Sequence, residues 1–202
     1  RESFMKLIFF IKSETVDISN YTIKNIPGSS GRLDVISRCI LAALFNGKGF
    51  DRKVEIWVFL KDYGTFIFNP EDLQYKDFPK NELMLTDYFV SFLHALESTE
   101  KLNNNPLNSI IASKMSMTKA IEDFKKKNIC IFVLKEAGKD FLKLKSKLPT
   151  DKDILFIIGS QEDKFLSSSE LLRLNLPSIS KGNQSYLASS VIRLLKLHMF
   201  GA

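Results

Sequence analysis

The sequence has few of the residues that build metal sites and disulfide frameworks. Its 202 residues include only two cysteines and two histidines. Cys39 and Cys130 lack the short spacing of metal ligands, and neither His94 nor His198 belongs to a recognisable catalytic motif. No catalytic triad or Walker-type phosphate loop is present. These absences argue against a metal site, a hydrolase and a nucleotide triphosphatase, and they predict that both cysteines are buried free thiols in a reducing compartment.

The sequence also lacks a hydrophobic run long enough to span a bilayer, although 45% of its residues are hydrophobic. Glu2 and Lys6 flank the first apolar segment, which is not the pattern of a secretory signal. Arg1 to Phe4 precede Met5, and we expect these four residues to be foreign to the natural chain. A cytoplasmic protein with no membrane contact, folded as one domain over residues 1–202, is therefore expected.

Negative charge is the scarcer sign. The chain has 29 lysines and arginines against 23 acidic residues, which gives a formal net charge of +6. This excess favours a polyanionic partner over an acidic one. The densest basic run, Lys125–Lys127, falls at the predicted end of a helix, where its charges suit the helix dipole as well as a phosphate.

Hydrophobic periodicity predicts an α/β domain in which strands alternate with helices. Strands are predicted at residues 4–11, 54–60, 64–68, 129–134 and 154–158. Helices are predicted from residue 33 to a stop at Gly47 and at about 83–96, 118–127, 139–148, 169–174 and 184–198. Gly64 supplies the turn of a hairpin between the second and third strands.

The stretch from Asp153 to His198 contains a buried strand followed by two polar crossings. Ile154–Ile158 is a continuous apolar run that ends at Gly159, as expected for a central strand covered on both faces. Ligands of open α/β sheets bind at the carboxyl ends of strands. We therefore expect a ligand site at the end of this strand and along the following crossings.

The segment from Asn25 to Cys39 carries the most specific motif of the chain. Its string Asn-Ile-Pro-Gly-Ser-Ser-Gly-Arg-Leu-Asp at 25–34, followed by Ser-Arg-Cys at 37–39, resembles the N-terminal signature of the archaeal tRNA pseudouridine N1-methyltransferases. These enzymes are the TrmY-type members of the SPOUT class of knotted methyltransferases. Phe156–Gly159 and Ser178–Ser180 fall where that family has its cofactor loops, and the resemblance extends from about Lys6 to Leu197.

The resemblance implies a fold, a cofactor and a substrate. The fold is expected to be a parallel-rich sheet flanked by helices, with a C-terminal trefoil knot over residues of about 129–199, a rare exception to the rule against threading. The protein is expected to be a homodimer packed through its knot helices, to bind S-adenosyl-L-methionine in the knot, and to methylate N1 of pseudouridine-54 in tRNA. Two alternatives remain open: a related rRNA pseudouridine N1-methyltransferase, and a catalytically silent RNA-binding homodimer of the same fold.

The same resemblance gives roles to three charged residues. N1 of pseudouridine loses a proton during methylation, which requires a base or a donor that stabilises the developing uracil anion. Arg32 is the candidate donor or a phosphate contact, because its planar guanidinium suits either role. Asp34 is the candidate base, although it also suits a helix cap or a partner that orients Arg32. Arg38 is expected to contact tRNA, with a structural salt bridge as the alternative.

Nine cofactor contacts are also implied. They are Leu134, Gly159, Ser178, Ile179, Ser180, Lys181, Gly182, Asn183 and Ser190, the last at the position of a family cysteine. Gly159 lets a ligand approach the backbone closely, although an ordinary turn explains a glycine there too. After it the family usually has Asp-His and a longer loop, whereas this chain has Ser-Gln-Glu-Asp at 160–163. Where the family often has Leu-Ser-Pro-Leu, this chain has Ser-Lys-Gly-Asn at 180–183. These departures keep the silent RNA-binding alternative open.

Overall fold

The apolar runs of the sequence form the strands of one sheet. The structure is a computed structural model that describes residues 5–99, 104–140, 143, 146, 148, 151–159, 165–180 and 187–201. Its strands are β1 (Leu7–Ser13), β2 (Val54–Leu60), β3 (Gly64–Phe68), β4 (Ile111–Ser113), β5 (Ile129–Asp140), β6 (Asp153–Gly159) and β7 (Ser178–Ser180). Its helices are α1 (Ile26–Ser29), α2 (Leu33–Leu44), α3 (Glu82–Ser98), α4 (Met117–Lys125), α5 (Ser169–Arg173) and α6 (Ala188–Phe200). Short 3-10 helices occupy Ile23–Asn25 and Phe165–Ser167.

The described strands lie in the order β4-β3-β2-β1-β6-β5-β7. The five strands from β2 to β7 in this order are parallel, and β3 and β4 extend the sheet antiparallel at one end. Lys12 pairs with Gly159, and Val133 pairs with both Ile157 and Ser178. The carboxyl ends of β1, β6, β5 and β7 therefore meet at one edge of the sheet. We call this the carboxyl edge.

Two hydrophobic clusters, one on each face, explain why the central strands are apolar throughout. Phe9 and Phe156 pack with α2, α3 and α6 on the first face. Phe10 and Ile157 pack with α4 and α5 on the second face. Because helices cover both faces, alternate residues of β1 and β6 have no solvent-facing side. The predicted α/β architecture, a parallel-rich sheet flanked by helices, is confirmed.

The structure corrects several strand and helix boundaries that were predicted from the sequence. Strand β1 begins at Leu7 rather than residue 4, and the predicted helix at 139–148 is wrong at its start, where Lys139 and Asp140 pair with β7 as part of β5. The sequence did not predict the three-residue strands β4 and β7, because so short a strand shows no periodicity. Cys39 is fully buried, but Cys130 is only half-buried, and both thiols are free. Among the described helices, none is long and apolar enough to cross a membrane.

Helix α6 runs beside α2 in the same direction. Arg193 lies near Cys39, and one turn later Lys196 reaches the end of α2. The Lys196 ammonium donates to the carbonyl oxygens of Ala42 (3.1 Å), Ala43 (2.8 Å) and Phe45 (2.8 Å), and its Nζ lies 3.4 Å from Asp51 Oδ2. Burial lowers the pKa of Lys196, and the charge of Asp51 opposes this. A lysine of the last helix therefore caps the C-terminus of α2, whose final carbonyls have no partner within the helix.

Replacing Lys196 with Met is expected to lower the free energy of unfolding by about 3 kcal/mol, because the half-buried Asp51 carboxylate and the helix carbonyls lose their partner. Urea unfolding followed by circular dichroism measures the change. The matched control is Lys48→Met on the exposed connection after α2, which is expected to change stability by less than about 0.5 kcal/mol. Equal stability of the two variants would contradict a capping role for Lys196.

Candidate functional site

The motif at 25–34 folds as a short helix and a left-handed turn that lead into α2. Asn25 caps α1 by accepting the Gly28 N–H at 3.4 Å, and Pro27 occupies its first turn. Gly31 and Arg32 then both have positive φ angles, of 58° and 69°. A Cβ atom on Gly31 would lie 1.9 Å from the backbone oxygen of Thr15, so only glycine fits at this position.

The turn is fastened to the loop that follows β1. Thr15 Oγ1 donates to the Gly31 carbonyl at 2.8 Å, and Asp17 N donates to the Ser30 carbonyl at 3.3 Å. Because β1 ends at the carboxyl edge, this loop holds Arg32 at the same edge. A non-glycine residue in the left-handed region costs energy that the surrounding structure must offset, and such residues cluster at functional sites. The backbone of Arg32 is therefore fixed by its surroundings.

Arg32 and Asp34 form a two-pronged ion pair. Arg32 Nε and Nη2 donate to Asp34 Oδ1 and Oδ2 at 3.1 and 3.2 Å. Asp34 is only 3% exposed, whereas the Arg32 side chain is 41% exposed. Within the described part of the chain, Nη1 of Arg32 has no partner, so the guanidinium is held by one edge and presents the rest to solvent. This arrangement suits a donor with a fixed direction.

Arg38 lies one turn further along α2 and is bound to α3. Its Nε and Nη2 donate to the Glu82 carboxylate at 2.7 and 3.0 Å, and its Nη2 lies 4.0 Å from Asp34 Oδ2. The hydrogen bond to Glu82 raises the pKa of Arg38, and the same bond lowers the pKa of Glu82. The salt bridge that was the alternative role of Arg38 is therefore present, and its contact with tRNA stays a prediction.

Three of the predicted cofactor residues, Leu134, Ser178 and Ile179, come together where β5 pairs with β7. Leu134 pairs with Ile179, and Val133 pairs with Ser178. The side chains of Leu134 and Ile179 are buried in the core, so a ligand at this edge would meet their backbone groups. Between Leu134 and Lys139 the register with β7 shifts, because Ile179 pairs with both residues. Bulges of this kind release backbone donors and acceptors and often adjoin active sites.

Gly159 and Ser190 lie near the same edge in different settings. A Cβ atom on Gly159 would lie 2.8 Å from Leu166 Cγ, so the missing side chain makes room for Leu166. Ser190 is half-buried in the first turn of α6, and because α6 runs parallel to α2 it lies toward the end where Arg32 lies. Ser180 ends β7, and Lys181, Gly182 and Asn183 lie outside the described residues. Leu166 therefore fills the space beside Gly159, whereas the register shift between β5 and β7 leaves backbone groups for a polar ligand.

Sequence reasoning missed the partners that hold the motif. Glu82 is 44 residues away from Arg38 along the chain, and Thr15 is 16 residues from Gly31. Neither residue belongs to a motif, so no local signal could have identified it. The sequence also gave no sign of two open cavities of about 290 and 340 Å3 beside the hairpin turn.

Comparison with known proteins decides the family. Residues 5–200 match the family described as "Putative SAM-dependent RNA methyltransferase". The chain belongs to this family. A curated tRNA (pseudouridine(54)-N(1))-methyltransferase of Pyrococcus abyssi is 26% identical to this methyltransferase, over 95% of this chain and 96% of the relative. The enzyme of the same name from Thermococcus onnurineus is 22% identical over 95% of each chain.

A solved structure gives the same architecture. The crystal structure of Archaeoglobus fulgidus Nep1 bound to S-adenosylhomocysteine has a TM-score of 0.62 and covers 97% of both chains. Its sequence identity to this methyltransferase is 15%, so the likeness concerns the fold alone. The family match confirms the predicted family, and the shared architecture confirms the parallel-rich sheet flanked by helices. S-adenosylmethionine is the cofactor of the family.

Proposed function

We propose that this methyltransferase transfers a methyl group from S-adenosylmethionine to N1 of the pseudouridine at position 54 of tRNA, as the names of its curated relatives state for them. The observation that carries the proposal is the exposed Arg32 guanidinium, held on the buried Asp34 at the carboxyl edge. The ends of β5, β6 and β7 meet at that same edge. A fixed cation beside a ligand-binding edge suits a reaction in which a base becomes transiently anionic.

Arg32 stabilises the uracil ring as its N1 proton passes to solvent water. Its free N–H groups donate to a uracil carbonyl oxygen, on which the negative charge develops. The cofactor, when bound, supplies the electrophilic methyl group. Residues Leu134, Gly159, Ser178–Asn183 and Ser190 would hold that cofactor, mainly through backbone groups at the strand ends. The remaining work is positioning, because an in-line displacement requires the acceptor nitrogen and the methyl carbon to be aligned.

Asp34 acts in this proposal as a positioning residue. Both of its oxygens accept N–H groups of Arg32, and only 3% of the residue is exposed. A general base must come within hydrogen-bond reach of the proton that it removes. So little exposure keeps the carboxylate away from a substrate, which favours the orienting role over the base.

The finer features of the family form part of the same proposal. Residues of about 129–199 form a trefoil knot within a single domain, and two copies pack through the knot helices in the cytoplasm. Support comes from the fold shared with the Nep1 structure and from α6, where Leu187 just before the helix and Leu197 in its last turn are 44% and 48% exposed. Exposed leucine side chains on a helix favour an interface with another protein, because the interface removes them from water.

Methyl transfer to defined RNAs tests the function. Radiolabelled S-adenosylmethionine is incubated with the protein and with a tRNA transcript that carries either pseudouridine or uridine at position 54. Label is expected in the first RNA alone, because uridine has its N1 in the glycosidic bond. Label only in a pseudouridine-containing rRNA fragment would favour the rRNA alternative. Absence of label, together with no calorimetric binding of S-adenosylmethionine, would favour the silent RNA-binding protein.

A further inference from the structure

A cavity of about 290 Å3 opens at the carboxyl edge on the second face of the sheet. Three separate segments line it: the end of β1, the turn between β2 and β3, and the connection from β4 to α4. Each segment contributes one lysine, namely Lys12, Lys61 and Lys114. Three lysines from distant parts of the sequence therefore line one small opening.

The charges of the cavity are unevenly satisfied. Lys12 Nζ lies 2.8 Å from Glu14 Oε1, and the Lys114 ammonium donates to the Tyr63 carbonyl at 3.0 Å. In the part of the chain that the structure describes, the exposed Lys61 side chain has no carboxylate within ion-pair distance. Asp62 is the acidic residue in the lining. The balance at the cavity is therefore positive.

Helix α4 begins at the same cavity. Ser116 caps this nine-residue helix by accepting the Lys119 N–H at 3.2 Å, and both Ser116 and Met117 line the opening. The first N–H groups of a helix have no acceptor within the helix, and its dipole favours a negative charge beside them. Lysines and the first N–H groups of a helix are groups that bind phosphate in proteins, and both occur at this cavity.

We propose that this cavity binds a phosphate of the RNA substrate. This inference rests on the proposed function, because that function makes RNA the substrate of the protein. Tyr63 lies between the lining residues Asp62 and Gly64, and its hydroxyl accepts the Ile18 N–H at 3.0 Å. The loop that contains Ile18 also holds Gly31, next to Arg32, through Thr15. RNA that presents a base to Arg32 passes along the edge where the cavity lies, and its backbone carries a phosphate at every nucleotide.

The densest basic run of the sequence is a poorer candidate. Lys126 lies 3.8 Å from Asp123, and the Lys125 ammonium donates to the Leu174 carbonyl at 3.0 Å. Lys127 lies over the Phe124 ring at 4.7 Å. These side chains stabilise the end of α4, whereas Lys61 is available to a ligand.

Charge substitutions in opposite directions test the site. Lys61→Gln is expected to weaken the affinity for tRNA about threefold to tenfold and to reduce the salt slope of binding by about one. Asp62→Asn is expected to tighten binding by a similar factor, and asparagine tolerates the positive φ of 67° at this position. The control is Lys48→Gln, the same charge change at the opposite edge of the sheet. Filter binding at several salt concentrations measures all four proteins.

Three results would overturn the proposal. In the first, Lys61→Gln and Lys48→Gln weaken tRNA binding equally. In the second, the wild-type protein binds no RNA. In the third, Lys61→Gln weakens the binding of inorganic phosphate and leaves tRNA binding unchanged. The last result would assign the cavity to a free anion. The experiment is separate from the methylation assay. The wild-type protein could fail to methylate pseudouridine while Lys61→Gln still weakens tRNA binding. That result would support the phosphate site and refute the proposed function.

Discussion

Replacing Arg32 with Lys is expected to lower kcat for tRNA methylation by about 10²–10³-fold, the usual effect of removing one donor to a developing anion. Lysine keeps the charge but cannot bind Asp34 through two parallel N–H groups and still present a directed donor to the base. The affinity for S-adenosylmethionine is expected to stay within about twofold, because Arg32 lies in the turn before α2 and not on the strands that hold the cofactor. Single-turnover kinetics and calorimetry measure the two quantities.

The control for this variant is Arg52→Lys. Arg52 donates one hydrogen bond, to the Pro70 carbonyl at 3.2 Å, and precedes β2 at the opposite edge of the sheet. The kcat of the Arg52→Lys variant is expected to equal that of the wild type. If Arg32→Lys also keeps kcat within about fivefold, Arg32 does not stabilise the transition state, and its role is reduced to contacting RNA.

The sequence predicted those parts of the fold whose cause is local. Strands β1 and β6 are buried on both faces, so each appears as a continuous apolar run. Strand β7 has three residues and exists because β5 lies beside it, which no periodicity records. The same pairing draws Lys139 and Asp140 into β5, against a pattern that suggested a helix.

The same distinction between local and long-range causes applies to the candidate site. The resemblance identified Arg32 and Asp34, and their two-residue spacing makes a local ion pair possible. The reasons for the geometry are long-range: the Thr15 carbonyl lies where a side chain of Gly31 would be, and Glu82 of α3 binds Arg38. A sequence motif therefore locates the site, and only the tertiary packing shows which atoms hold it.

The second large effect concerns the role of Asp34. Asp34→Asn is expected to lower kcat about 10- to 100-fold, because an amide accepts one guanidinium N–H and turns its own N–H groups toward the other. If Asp34 only positions Arg32, the pH dependence of kcat keeps its shape in this variant. If Asp34 is the base, the acidic limb of the profile disappears and the loss is larger.

The double variant separates the two roles. A residue that acts only through Arg32 has nothing left to contribute once Arg32 is replaced, so Arg32→Lys with Asp34→Asn is expected to be no slower than Arg32→Lys alone. Multiplied losses in the double variant would show that Asp34 acts on the substrate directly. Near-ultraviolet circular dichroism of each variant confirms that α2 still packs. The expected result makes the buried carboxylate a support for the exposed guanidinium, as the ion pair between them indicates.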